Sequence, residues 1–286
     1  MRRIFAILGL ILGAQLSALS YASEVSHETF DVRPVMQSST DAFSVFQILV
    51  RARNAYDQED FEQAANDYSI LVQYDSALEE AVIGGAKSYL ALKQPGLAKE
   101  ILDASKVSSR DIDTLLIIAT AKTLDKREAK KYLLAAVKTH QDSRLWNLLG
   151  HILMARGEAQ SALYAFTQAE TLGQKPGLLY NNLGMLAFQT GELNSASEYL
   201  DRAVNLSPST LKFDNNRRLA LLFRGQYLKA LENISSQRGA NLLADAAIIA
   251  TKRGEDSLAT LLVKKSNELN PVFNPLFATR VEEKPG

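Results

Sequence analysis

A single spacing of 34 residues recurs along this chain, and it constrains the fold more than any other feature. Trp146 and Tyr180 are 34 apart, as are Gly150 and Gly184. Gly157, Gly191 and Gly225 keep the same step, as do Ala162, Ala196 and Ala230, and Ala169 and Ala203 repeat it once more. A fixed period of this length marks an array of small units, none of which can bury its own apolar face alone. In the clearest unit Tyr180, Leu183, Gly184 and Ala187 share one face of a first helix. Gly191-Glu192 breaks that helix, because glycine readily takes the positive φ of a helix end. Leu193, Ala196, Leu200, Ala203 and Val204 then trace the apolar face of a second helix, which Pro208 stops. Small residues at Gly184 and Ala196 are expected to let the paired helices approach closely.

Trp146-x2-Leu149-Gly150-x2-Leu153 with Ala162-x3-Phe166 and Ala169, followed by Tyr180-x2-Leu183-Gly184-x2-Ala187 with Ala196-x3-Leu200, Ala203 and Pro208, resembles the tetratricopeptide repeat (TPR). Weaker copies keep the ruler. Asp60-Phe61, Ala64 and Tyr68 mark the first, and Tyr89, Ala98 and Leu102 the second. Ala129, Leu133 and Ala136 mark the third, which has Ile117 in place of the small residue and lacks the turn glycine. Gly225, Tyr227 and Ala230 mark the sixth, and Gly254, Ala259 and Pro271 the seventh. The second-helix alanines fall at Ala64, Ala98, Ala129, Ala162, Ala196, Ala230 and Ala259, with spacing expected to slip only in linkers. The resemblance implies an all-α protein, a right-handed α-solenoid of about seven TPR units over 44–273, its concave groove lined by first helices. Residues 23–43 read as a polar linker and 274–286 as a C-terminal tail. Val272, Phe273, Leu276 and Phe277 are apolar enough to cap the last repeat, and Pro275 prevents a long helix there.

The N-terminus has a different character. Arg2 and Arg3 precede an apolar run from Ile4 to Ala14, and Ser20-Tyr21-Ala22 places small residues where a signal peptidase cuts. This is the pattern of a secretory signal over 1–22, with cleavage leaving Ser23 first. The run of 11 residues is short of the roughly 20 needed to span a membrane, although an uncleaved anchor is the alternative. A short, Arg-rich start of this style points to a periplasmic location. Charge is balanced, 32 Lys+Arg against 32 Asp+Glu, which argues against a nucleic-acid binder that must neutralise phosphates. With no cysteine there is no disulfide framework, thiolate metal site or thiol nucleophile. His27, His140 and His151 are isolated from one another, and neither a nucleophile elbow nor a phosphate loop is present. No enzyme, cofactor or metal is expected.

In TPR arrays, certain first-helix positions face the groove. Here they are Arg144, Asn147, His151 and Met154 in the fourth repeat and Asn181, Asn182, Met185, Phe188 and Gln189 in the fifth. The sixth adds Lys212, Asn215, Asn216, Leu219 and Phe223. Asn147, Asn181 and Asn215 form a ladder whose amides either hold an extended ligand by its backbone or simply solvate the groove. Met185, Phe188 and Phe223 either anchor an apolar side chain or pack internally. Arg217 and Arg218 stand where a Leu and a small residue are usual, so tilting, snorkelling or a binding role is expected. The basic run Lys126-Arg127-Glu128-Ala129-Lys130-Lys131 lies on a second helix and reads as a solvated outer face.

Leu178 to Leu231 is similar to the TPR proteins of tight-adherence (Tad/Flp) pilus assembly, the TadD type. The residues that carry this are Asn181-Asn182-Leu183-Gly184, Gly191-Glu192-Leu193 and Asn215-Asn216-Arg217-Arg218-Leu219-Ala220-Leu221 before Gly225. The resemblance implies a scaffold associated with the outer membrane, with a secretin or other pilus-assembly component among its envelope partners. Such proteins are commonly lipoproteins. This chain has no cysteine to lipidate, so attachment must come from a partner or an uncleaved signal. Two other classes remain: a carrier of extended client peptides, and a regulator of cell-wall or outer-membrane enzymes.

Overall fold

The computed structural model describes residues 39–270. The expected signal, most of the linker, and everything from Pro271 onward, including the apolar cap, lie outside the described residues. Among the described residues helices follow one another in pairs, as helix–turn–helix: α1 (Ser39–Asp57) with α2 (Phe61–Tyr74), α3 (Glu79–Ala91) with α4 (Pro95–Asp103), and α5 (Arg110–Thr123) with α6 (Lys126–Thr139). Then come α7 (Ser143–Ala155) with α8 (Ala159–Thr171), α9 (Pro176–Thr190) with α10 (Leu193–Leu206), α11 (Leu211–Phe223) with α12 (Tyr227–Leu231), and α13 (Ser236–Lys252) with α14 (Asp256–Leu269). The chain divides into two compact units at Ile152–Leu153, within α7. α1 begins at Ser39, five residues before the expected start of the array. Apolar spacing marks the buried face of a helix, and a first turn of Ser-Thr-Asp has no apolar residue to announce it.

The alanine ruler is a packing ruler. Ala64, Ala98, Ala129, Ala162, Ala196, Ala230 and Ala259 are each 0% exposed. At the best repeat, a Cβ built on Gly184 of α9 would lie 2.6 Å from Leu200 Cγ and 3.2 Å from the Ala196 carbonyl oxygen of α10. Only a glycine fits that approach without displacing Leu200. Tyr180 of α9 stacks on Tyr199 of α10 with ring centroids 6.2 Å apart, and the Arg202 guanidinium lies over the Tyr180 ring.

The first unit is built on Ala52, Leu71, Val82, Ala86, Ile101, Leu115 and Ala119, drawn from α1 to α5. Two buried polar pairs lie within it. Ser69 Oγ and the Tyr89 hydroxyl are hydrogen-bonded at 2.9 Å, and the buried Asp67 carboxylate is held by both Nε and Nη2 of Arg51, at 2.7 and 2.6 Å. The second unit is centred on Leu200, Leu221, Leu222, Leu243, Ala247 and Leu262 from α10, α11, α13 and α14.

Six of the turns within helix pairs use a left-handed residue, but not always glycine. Gly157, Gly191, Gly225 and Gly254 have φ between 73° and 86°. In the first two repeats the same place is taken by Glu59 (φ 61°) and Lys93 (φ 60°), residues themselves 34 apart. The third repeat has no such residue: Leu124 is extended and the Asp125 carboxylate caps α6 by accepting from the Arg127 and Glu128 amides. A side chain in the left-handed region costs about 1–2 kcal/mol relative to glycine, partly offset by glycine's greater chain entropy. Lys93→Gly should therefore stabilise the protein by about 0.5–1 kcal/mol, whereas Gly191→Ala should cost about 1 kcal/mol. No atom lies within 4 Å of the added Cβ at Gly191, so the loss would be conformational alone. Urea unfolding of both variants checks the opposite signs.

Candidate functional site

The expected groove residues of the first unit are occupied by the chain itself. The Arg144 guanidinium donates to both oxygens of Asp142 (Nε to Oδ1 at 3.0 Å, Nη2 to Oδ2 at 2.7 Å), and Nη2 also reaches Asp111 Oδ1 at 2.7 Å. Asp142 further accepts from the Arg144 backbone amide at 2.8 Å and Thr114 Oγ1 at 3.2 Å. Burial pushes the Asp142 carboxyl up, but the Arg144 bonds and charge outweigh it and hold it below the usual range. Arg144 thus ties the start of α7 to α5. Asn147 and His151, half-buried on α7, both have interactions within the chain.

In the second unit the asparagines serve neighbouring first helices. Asn181 is 1% exposed and Asn182 0%. Asn216 Nδ2 donates to Asn181 Oδ1 at 2.7 Å, linking α11 to α9. Asn215 Oδ1 accepts from Arg238 Nη2 at 2.8 Å, linking α11 to α13. Asn181 and Asn182 therefore lie inside the packed face rather than on an open groove wall, because a buried amide must find its partner internally. Asn215 and Asn216 are half-buried, and their second amide atoms, the Asn215 nitrogen and the Asn216 oxygen, have no partner among the described residues. Lys212 is exposed, Met185 half-buried and Met154 half-buried, and exposed Gln189 donates to the Met154 carbonyl at 2.9 Å.

The aromatic anchors are likewise core residues. Phe188, Leu219 and Phe223 are buried, and the two rings meet edge to face at 4.8 Å. Arg253, one residue past α13, lays its guanidinium 5.1 Å and 5.2 Å from their centroids and donates from Nη1 to the Phe188 carbonyl. Cation–π contact and hydrogen bonding roof the pair. Sequence reading missed Arg253; its position at the first-helix end, directly before the turn residue Gly254, was the available signal.

The out-of-place Arg217 and Arg218 find their reason in the sixth repeat. Its second helix, α12, has 5 residues where α10 has 14. The step from Ala230 to Ala259 is accordingly 29 residues, so this slip occurs within a helix and not only in a linker. Buried Arg218 donates from Nη1 to the carbonyls of Ala230 and Glu232, at 2.7 and 2.9 Å, satisfying the end of the shortened helix. Its Nε pairs with Asp214 Oδ2 at 2.7 Å. Asp214 also receives Arg217 Nη2 at 2.9 Å and Arg238 Nη2 at 3.0 Å, gathering three arginines from α11 and α13. Burial raises the Asp214 carboxyl, but the bonds from Arg218 and Arg217, together with their charges, carry it below its ordinary value.

No group of three or more His, Cys, Asp or Glu side chains is placed to hold a metal among the described residues. No helix among them is long and apolar enough to cross a membrane. What the second unit presents is a set of polar first-helix side chains over a closed core, an arrangement suited to protein contact.

Residues 178–210 match the tetratricopeptide repeat family model. No curated protein matches the chain. Solved structures with similar folds include a chain of the APC/C hetero-tetramer Cut9–Hcn1 (17% identity, TM-score 0.51), of which this chain covers 42% with 83% of its own length. A thermophilic TPR protein of Thermus thermophilus aligns at 19% identity and TM-score 0.52, over 62% of this chain and 99% of that one. The human IFIT1 dimer with m7Gppp-AAAA aligns at 14% identity and TM-score 0.54, over 78% of this chain and 58% of that one. At these identities the likeness is one of fold: a TPR-type helical array.

The Asp214 cluster makes a signed prediction. A depressed carboxyl contributes stability that is complete above the unfolded value near 3.9 and is lost as pH falls through the folded value. Asp214→Asn should cost about 3 kcal/mol at pH 7, because it leaves Arg218 buried without its counter-charge. Urea unfolding followed from pH 7 downward should show the gap between variant and wild type closing below about pH 4.

Proposed function

We propose that this chain is a non-enzymatic periplasmic scaffold that docks envelope proteins during assembly of a surface machine, a tight-adherence (Tad/Flp) pilus, with a secretin or another pilus component as partner. The observation that carries the reading is the set of polar side chains left open on α11, a first helix of the second unit. Lys212 is exposed, and the Asn215 amide nitrogen and the Asn216 amide oxygen make no hydrogen bond among the described residues. Because the hydrophobic core beneath them is already closed, a partner can bind without unfolding the repeat. The match of residues 178–210 to the tetratricopeptide repeat supports a protein-interaction role. Export is supported by the basic start and apolar run of the first 22 residues. Pilus assembly rests on the resemblance between Leu178 and Leu231.

In-cell crosslinking followed by purification from the envelope fraction tests this reading. Wild type is compared with Met185→Ala/Lys212→Glu/Asn215→Ala, after circular dichroism shows that the variant keeps its helicity. Secretin or other pilus components should be captured by wild type and reduced at least about tenfold in the variant, as loss of one or two anchoring contacts requires. Absence of pilus components from both samples would contradict the assignment. A broad set of unfolded chains would then identify a carrier, and a single cell-wall enzyme a regulator.

A further inference from the structure

We propose that the solvent-facing side of α6 is a contact surface for anionic phospholipid headgroups. This lies beyond the docking role of the second unit and rests on a different part of the molecule. α6 carries Lys126, Arg127, Lys130, Lys131 and Lys138 against a single acidic residue, Glu128. Ala129, Leu133 and Val137 face the interior, which fixes the helix's rotation. On the other side Arg127, Lys130, Lys131, Leu134, Ala135 and Lys138 line a shallow depression of about 280 Å³. Arg127, Lys131 and Lys138 are exposed and have no acidic partner among the described residues. Leu134, between the cations, is 40% exposed.

The geometry of this patch selects its partner. Its lining residues follow one another at steps of three, one, three, one and three, so all come from one face of one helix. No second element lines the depression to hold an extended peptide along its length. A lipid surface requires one helix face, with apolar side chains directed at the acyl boundary and cations on either side of them at headgroup level. Leu134 and Ala135 supply the apolar centre, with Arg127 and Lys131 toward one end and Lys138 toward the other. The long basic side chains can extend their charges to the phosphates while their methylenes cover the apolar strip. Each cation close to an anionic leaflet adds to the attraction, and salt weakens it.

The chain contains no cysteine, so Ala135→Cys creates a unique labelling site in the full chain. An environment-sensitive fluorophore there reports on α6 locally, whatever the apolar N-terminal run does. Vesicles of phosphatidylglycerol and phosphatidylcholine should shift the emission to the blue, and phosphatidylcholine vesicles alone should not. High salt should reverse the shift, and an added Arg127→Glu/Lys131→Glu/Lys138→Glu background should weaken it by at least roughly 100-fold. No shift with the anionic vesicles, or one that survives the charge reversal, overturns the proposal. A shift produced by polyglutamate at equal ionic strength, with none from vesicles, also overturns it and assigns the face to acidic proteins.

Discussion

The rest of the structure depends on the contact between two helices at a fully buried alanine in each second helix. Only a small side chain lets the axes come close enough for the larger residues around it to interdigitate, and at Gly184 the approach excludes even a methyl group on the first helix. Seven such alanines are sealed. They set the phase of each pair, and that phase decides which side chains of the first helix remain open. Candidate binding residues are therefore a product of the packing rather than a separate feature.

The sixth repeat shows what happens when that packing is interrupted. With α12 cut to 5 residues, an apolar second helix is missing along part of α11, and a guanidinium substitutes for it. Arg218 satisfies two carbonyls at the break while Asp214 neutralises it, so a charge is buried without being isolated. Asp214 in turn draws in Arg238 of the following helix, which also takes the Asn215 side chain. One shortened helix thus reorganises the polar surface over two repeats and leaves Lys212 and part of the Asn215–Asn216 pair as the open face.

Much of this was legible in the sequence. The period, the seven helix pairs and the buried alanines follow from apolar spacing, because spacing reports burial directly. The turns at Glu59 and Lys93 were not legible, since a left-handed residue other than glycine leaves no compositional mark. Phe188 and Phe223 were left between anchoring a partner and packing internally, and with Leu219 they lie in the core, because the groove register came from an idealised repeat and the roof supplied by Arg253 follows a helix distant in sequence. Asn181 and Asn182 were misplaced for the same reason. A side chain's position within a helix is local information, while its exposure depends on the next helix. Arg217 and Arg218 were flagged as anomalous, and the anomaly marked the shortened helix.

Function is the level at which packing says least. Each TPR-type unit supplies a packed core, and partner choice lies in a few side chains that the core leaves uncommitted. The account stands on the alanine contact, and urea unfolding of Ala196→Leu tests it most directly, with Leu228→Ala, a residue 92% exposed, as the reference for a change away from the contact. Overpacking at Ala196 should cost about 1–3 kcal/mol while the reference stays near zero. An Ala196→Leu protein as stable as wild type would mean that α9 and α10 do not meet there, and would contradict the account.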